Sequence, residues 1–231
     1  MTKWLASVQS LEEAKALQQT LPDILDLKDP ARGALGALPL TTVEAVVQWL
    51  EGRCETSATV GDLVMHPDVI VEAVKAMAAT GVDYVKVGLF SDPKLEACLA
   101  GLHEELSELK TPVIAVLFAD QTRNISLISR IKQAGFSGVM VDTASKNGQR
   151  LMDHWNSTEL KAFISQAREH QLLCGLAGAL ALEDIDSLEP LGADYLGFRS
   201  ALCDRRQRTL SLQPERALAI QERLQSYGLA S

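Results

Sequence analysis

Eight times over, the chain alternates a short apolar, β-branched run with a longer amphipathic segment. No other feature restricts the fold as much. Strands joined through helices lie parallel, and parallel strands are covered on both faces, so they read as nearly continuous apolar runs. The runs cover residues 4–8, 24–28, 56–60, 84–89, 113–118, 138–142, 172–176 and 195–198. Between them, Ser10-Leu11-Glu12-Glu13 has capping-box spacing and opens a helix to about residue 19. Further helices are expected from Thr41-Thr42-Val43-Glu44, from His66-Pro67, from Asp92-Pro93, over 124–134, from Ser157-Thr158-Glu159, over 182–188 and over 214–227. Eight β-then-α units in 231 residues predict a closed (β/α)8 TIM barrel of the α/β class, organised as one domain over residues 1–231. An open doubly wound sheet is the other architecture with this rhythm. Its main sign, a Gly-x-Gly-x-x-Gly after the first strand, is missing.

Composition narrows the partners. Hydrophobic residues make up 47% and charged residues 23%, an ordinary globular balance that can build a core without staples. The formal net charge of -8 opposes nucleic acid or an anionic membrane as a partner. An anionic substrate would therefore need a local cluster of positive groups. The four cysteines, Cys54, Cys98, Cys174 and Cys203, lack metal-site spacing and read as reduced thiols. The N-terminal segment has no long apolar stretch, and nothing in the sequence is long enough to span a membrane, so a cytoplasmic location is expected. The four histidines are scattered and no metal or cofactor is expected. The sequence leaves room for a homo-oligomer.

Strand alternation then sorts the polar residues. Asp26 and Lys28 share one face of the second run, opposite Leu25 and Leu27. Tyr84, Lys86 and Gly88 share a face of the fourth, opposite Val85, Val87 and Leu89. Ser57 and Thr59 share a face of the third, and Met140 and Asp142 of the sixth. In each case the apolar set suits packing on helices, and the polar set suits the inside of a barrel. The polar groups also fall near the C-terminal strand ends, where barrel active sites are built. A lysine there is costly to desolvate, and a lowered pKa makes it an amine nucleophile or a base near neutral pH. Lys28, Lys86, Asp26 and Asp142 are therefore the catalytic candidates, and two lysines suggest imine chemistry on a carbonyl compound.

The last two runs suggest a phosphate site. Gly175-Leu176-Ala177-Gly178-Ala179-Leu180 places small residues where backbone N–H groups can approach an anion, and Gly197-Phe198-Arg199-Ser200 adds a guanidinium. Arg205, Arg206 and Arg208 read as a solvated surface run.

Several segments together resemble one family. They are Asp26-Leu27-Lys28-Asp29-Pro30, Gly33-Ala34-Leu35-Gly36-Ala37, Ser57-Ala58-Thr59-Val60-Gly61-Asp62 and Tyr84-Val85-Lys86-Val87-Gly88-Leu89, followed by Val141-Asp142-Thr143, Lys146 and Gly175-Leu176-Ala177-Gly178. In this order they are similar to the (5-formylfuran-3-yl)methyl phosphate synthases. The resemblance implies a (β/α)8 barrel that condenses two molecules of glyceraldehyde 3-phosphate into a phosphorylated furan aldehyde, with loss of phosphate and water. Its product would serve methanofuran-type cofactor biosynthesis. It implies Lys28 as the Schiff-base lysine, Lys86 as proton acceptor, and Asp26, Asp142 and Lys146 as further polar site positions. Thr59, Lys146, Gly178, Arg199 and Ser200 are the expected substrate and phosphate contacts. Asn147 and Ala179 depart from the family's pattern, which has an acidic residue and a serine there. Two other readings fit the same residues: another Schiff-base phosphosugar aldolase or decarboxylase, and a non-catalytic barrel that binds a phosphorylated metabolite.

Overall fold

The computed structural model describes residues 2–145 and 147–228. Eight parallel strands close into a barrel in sequence order: β1 (Lys3–Val8), β2 (Ile24–Leu27), β3 (Glu55–Thr59), β4 (Tyr84–Gly88), β5 (Val113–Phe118), β6 (Gly138–Asp142), β7 (Leu173–Leu176) and β8 (Tyr195–Phe198). The seam is the β8–β1 pairing, with Leu5 opposite Gly197 and Ala6 opposite Phe198. The helices around the barrel are α1 (Leu11–Ala16), α2 (Leu40–Leu50), α3 (Pro67–Ala78), α4 (Leu95–Glu108), α5 (Leu127–Gln133), α6 (Leu151–His154), α7 (Ser157–Glu169), α8 (Ile185–Leu188) and α9 (Pro214–Gly228).

Two apolar layers hold this together. The outer layer lies between strands and helices, where Leu25, Leu27, Val85, Val87, Val139 and Val141 meet helix residues such as Val46, Ile70, Leu102, Ile128 and Phe163. The inner layer fills the barrel with Leu5, Ile24, Ile114, Val116, Phe118, Met140 and Tyr195. Gly175 is small because of this filling: a Cβ there would lie 2.2 Å from Cζ of Tyr195.

Strand positions match the sequence pattern to within a residue or so, and helix starts differ where a cap decides them. Ser10 caps α1 as expected, accepting from the Glu13 N–H while the Glu13 carboxylate accepts from Gln9. The cap of α7 is Asn156, one residue before the anticipated start, in a reciprocal box with Glu159. α2 begins at Leu40 behind Pro39, so Thr41 lies within its first turn. The segment expected as one helix over 182–188 is a 3-10 turn, Leu182–Asp184, running into the single-turn α8. All four cysteines are free. Among the described residues no helix is long and apolar enough to cross a membrane.

Candidate active site

Alternation along β2 and β4 sends Asp26, Lys28 and Lys86 inward at the C-terminal end of the barrel, and β6 sends Asp142 to meet them. The carboxylates pair across strands, each with the lysine of a different strand. Lys86 Nζ lies 2.8 Å from Oδ1 of Asp26, and Lys28 Nζ lies 3.3 Å from Oδ2 of Asp142. Asp26 is completely buried and Lys86 almost so. Burying such charges costs several kcal/mol each unless the partner and further hydrogen bonds offset it. Here the register supplies them: Ser7 and Ser57 flank Asp26 on β1 and β3, and their hydroxyls donate to its two oxygens at 2.8 and 2.6 Å.

These surroundings set the charges. Burial lowers the pKa of Lys86, and the nearby Lys28 ammonium pushes the same way; together they outweigh the Asp26 carboxylate. Burial alone would raise Asp26, but the Lys86 and Lys28 ammoniums and the Ser57 hydroxyl hold it below the ordinary carboxylate value. The result is an amine of lowered pKa beside a fixed anion, facing a second amine on the cavity wall.

That space is a cavity of about 600 Å³, within the range usual for small-ligand sites. Lys28, Lys86, Asp26, Asp142, Gly178, Arg199 and Ser200 all line it. Its walls come from β1, β2, β4, β6 and β8 and from the segment that follows β7. Leu35, Phe90 and Phe118 belong to the inner apolar cluster, with Phe90 stacked on Phe118 at 4.7 Å. Leu35 belongs to the β2–α2 loop, which folds inward because Asp62 accepts from the Ala34 and Leu35 N–H groups at 2.9 and 2.7 Å. Thr59, expected as a substrate contact, is fully buried and does not line the cavity; its hydroxyl donates to the Gly36 carbonyl at 2.8 Å and so pins the same loop. Asp120 clamps the β6–α6 loop in the same manner, through the Ala144 and Ser145 N–H groups. Lys146, in that loop, lies outside the described residues.

The ends of β7 and β8 supply backbone donors. Gly178 takes a φ of +115° and Ala179 one of +50°, a turn that glycine tolerates and alanine adopts at some cost. Among the described residues no protein acceptor meets the N–H groups of Gly178, Ala179 and Leu180, which border the cavity. Ser200 opens a 3-10 turn beside them.

The arginines fall differently from the sequence expectation. Arg199 lies on the cavity wall, but its guanidinium is engaged by both oxygens of Glu13 and by the carbonyls of Ser7, Arg208 and Leu210. Arg205 is exposed, in keeping with a solvated run. Arg206 is exposed too, although it and the less exposed Arg208 both line the cavity. Arg206 grips Glu183 with two bonds of 3.1 Å. Arg208 is half-buried and donates to the Gly33 carbonyl at 3.1 Å. Sequence reasoning missed it because it follows the last strand in an irregular segment with no periodicity; the Cys203–Leu212 bridge folds that segment back over the barrel mouth. Ser7, Asp62 and Asp120 were also missed, although the two aspartates follow strand ends, where carboxylates often cap loops. Among the described residues, no three His, Cys, Asp or Glu side chains group to hold a metal ion.

An amine of lowered pKa, a second amine open to a cavity, paired carboxylates and free backbone donors can together handle an anionic carbonyl compound. Comparison with known proteins agrees with a barrel of this kind. In overall shape the chain is similar to 3-hexulose-6-phosphate synthase from Salmonella typhimurium, with a TM-score of 0.69 over 98% of this chain and all of that one, at 16% identity. It resembles phosphoribosyl anthranilate isomerase from Thermus thermophilus with a TM-score of 0.67, covering 98% and 100%, at 14% identity. At these identities the likeness speaks for the fold alone. Sequence relatives are nearer. A Methylorubrum extorquens protein, provisionally named (5-formylfuran-3-yl)methyl phosphate synthase, is 42% identical across 88% of this chain and 84% of its own length. The (5-formylfuran-3-yl)methyl phosphate synthase of Methanopyrus kandleri is 35% identical across 88% and 90%. A family model described as 4-HFC-P synthase matches residues 4–221, and the chain belongs to that family.

Proposed function

We propose that this protein condenses two molecules of glyceraldehyde 3-phosphate into (5-formylfuran-3-yl)methyl phosphate through an imine on Lys28. The observation that carries the reading is the unequal setting of the two lysines. Lys28 reaches into the cavity with Asp142 beside it, whereas Lys86 is buried, paired with Asp26, and has a lowered pKa. Lys28 adds to a triose-phosphate carbonyl and water leaves, forming a protonated imine. Lys86, whose lowered pKa makes its unprotonated form more accessible, takes the proton from the adjacent carbon, giving an enamine. The enamine carbon attacks the aldehyde of the second triose phosphate, and the new oxygen takes a proton. Loss of one phosphate, ring closure, dehydration and release of Lys28 complete the furan. Overall one inorganic phosphate and two waters leave, and aromaticity drives the last steps.

Asp142 holds the Lys28 amine, and Asp26 fixes Lys86 and relays protons. The Gly178–Leu180 N–H groups and Ser200 bind one phosphate, with Lys146 as a further cation. The product would enter furan-cofactor synthesis of the methanofuran type, and the acidic surface suits a cytoplasmic enzyme of small phosphorylated metabolites.

The test is to incubate the protein with glyceraldehyde 3-phosphate alone and record the ultraviolet spectrum. A furan chromophore should grow in step with one released phosphate per product. Triose phosphate consumed without a chromophore would point to an aldolase or decarboxylase, and no consumption at all to a silent binding barrel; either result overturns the proposal.

A further inference from the structure

The reading above needs two triose phosphates in one cavity, and therefore places for two phosphates. The ends of β7 and β8 provide one. The cations of the wall are nearly all committed elsewhere. Lys28 and Lys86 pair with Asp142 and Asp26, Arg150 with Asp184, Arg206 with Glu183, and Arg199 with Glu13. Arg208 differs. It is half-buried on the cavity wall, and among the described residues no carboxylate forms an ion pair with it. Among the described residues a single hydrogen bond holds its guanidinium, from Nη2 to the Gly33 carbonyl, which leaves Nε and Nη1 free.

We propose that the Arg208 guanidinium anchors the phosphate of the second triose phosphate, as a phosphomonoester subsite separate from the one at β7 and β8. This rests on the two-substrate reading of the site. The guanidinium belongs to the segment after β8 but is tied to the β2–α2 loop, so it stands on the Lys28 side of the mouth. Its segment is held from below: Arg199 Nε donates to the Arg208 carbonyl at 2.7 Å, and Glu13 grips Arg199 in turn. Arg199 is thus a positioning residue for Arg208. The carboxylates that act on Arg208 are Asp142, Asp62 and Asp29. Asp142 is balanced by Lys28, Asp62 accepts from Ala34 and Leu35, and Asp29 accepts from Ala31 and faces Arg32. None of them meets the guanidinium directly. A guanidinium keeps its charge, and a phosphate fits its planar fork.

Glycerol 3-phosphate is a suitable probe, because it is a phosphomonoester with no carbonyl and cannot form an imine. Equilibrium titration of the intact protein should count two molecules per chain. Arg208→Gln should leave one, the other weakened roughly 10- to 100-fold by loss of charge-assisted hydrogen bonds. Arg208→Lys keeps the charge without the fork, so it should retain both sites with the second weakened. It decides the matter if the Gln variant does not fold. One site in the wild type, or two unaltered sites in the variants, overturns the proposal. Two sites without furan formation would sink the synthase reading and leave the subsite standing. Furan formation at the full rate in Arg208→Gln would do the reverse.

Discussion

Asp26→Asn tests the buried pair in a way that a loss of activity cannot. The substitution keeps the shape of the side chain, although its amide has one acceptor oxygen, so one of the two serine hydroxyls must turn to accept from the new NH2; the Lys86 ammonium is left buried without its anion. Lys86 can escape by giving up its proton. The cost of doing so is bounded, at about 1.4 kcal/mol per pH unit below the ordinary lysine pKa of roughly 10.4. At pH 7.5 the variant should therefore be less stable than the wild type by at most about 4 kcal/mol, near the 3–5 kcal/mol typical of a broken buried pair. For a chain of this size that is a fall in Tm of about 8–16 °C. The sign follows from proton counting. In the variant the folded lysine is neutral and the unfolded one is charged, so the unfolded state holds more protons and stability rises with pH. The deficit should shrink by about 1.4 kcal/mol per unit between pH 7.5 and the wild-type Lys86 pKa, which itself lies below the ordinary value. Urea unfolding of both proteins at pH 7.5, 8.5 and 9.5 measures it. A deficit that stays constant with pH, or no deficit, would show that Lys86 is not a buried cation dependent on Asp26.

The reciprocal change, Lys86→Met, should have the opposite pH sign. It strands the Asp26 carboxylate, raises its pKa, and makes the variant's deficit smaller near pH 4.5 than at pH 7.5, by the same unfolding assay. Its furan-forming rate should fall by several orders of magnitude in a stopped ultraviolet assay. Gly175→Ala drives a Cβ into the Tyr195 ring, so calorimetry should find a lower Tm, for an overpacking cost of about 1–3 kcal/mol. Asp62→Ala frees the Ala34 and Leu35 N–H groups and should raise hydrogen exchange in the β2–α2 loop while leaving the β6–α6 loop, clamped by Asp120, unchanged.

The barrel was legible because period-2 alternation and helix punctuation are local signals repeated eight times, and each confirms the others. The same alternation identified Asp26, Lys28, Lys86 and Asp142 as inward-facing. Their partners were not legible. Adjacent residues such as Asp26 and Lys28 look like a natural pair, yet the barrel's stagger brings Lys86 to Asp26 and Asp142 to Lys28. Thr59 shares the inward face, but its hydroxyl serves the Gly36 carbonyl, and no pattern within β3 reveals where another strand's loop will fold. Arg199 and Arg208 show the limit most clearly. Which of two nearby guanidiniums is free depends on Glu13, far away in the chain, and only tertiary structure brings it to Arg199.

The central claim is that Lys28 carries the substrate carbon and Lys86 moves the proton. Borohydride reduction during turnover of glyceraldehyde 3-phosphate, followed by peptide mass analysis, tests it most directly. The account predicts a reduced triose-phosphate adduct on the peptide containing Lys28, still formed in Lys86→Met and absent in Lys28→Ala. An adduct on Lys86, or furan formation with no trapped lysine, would contradict it.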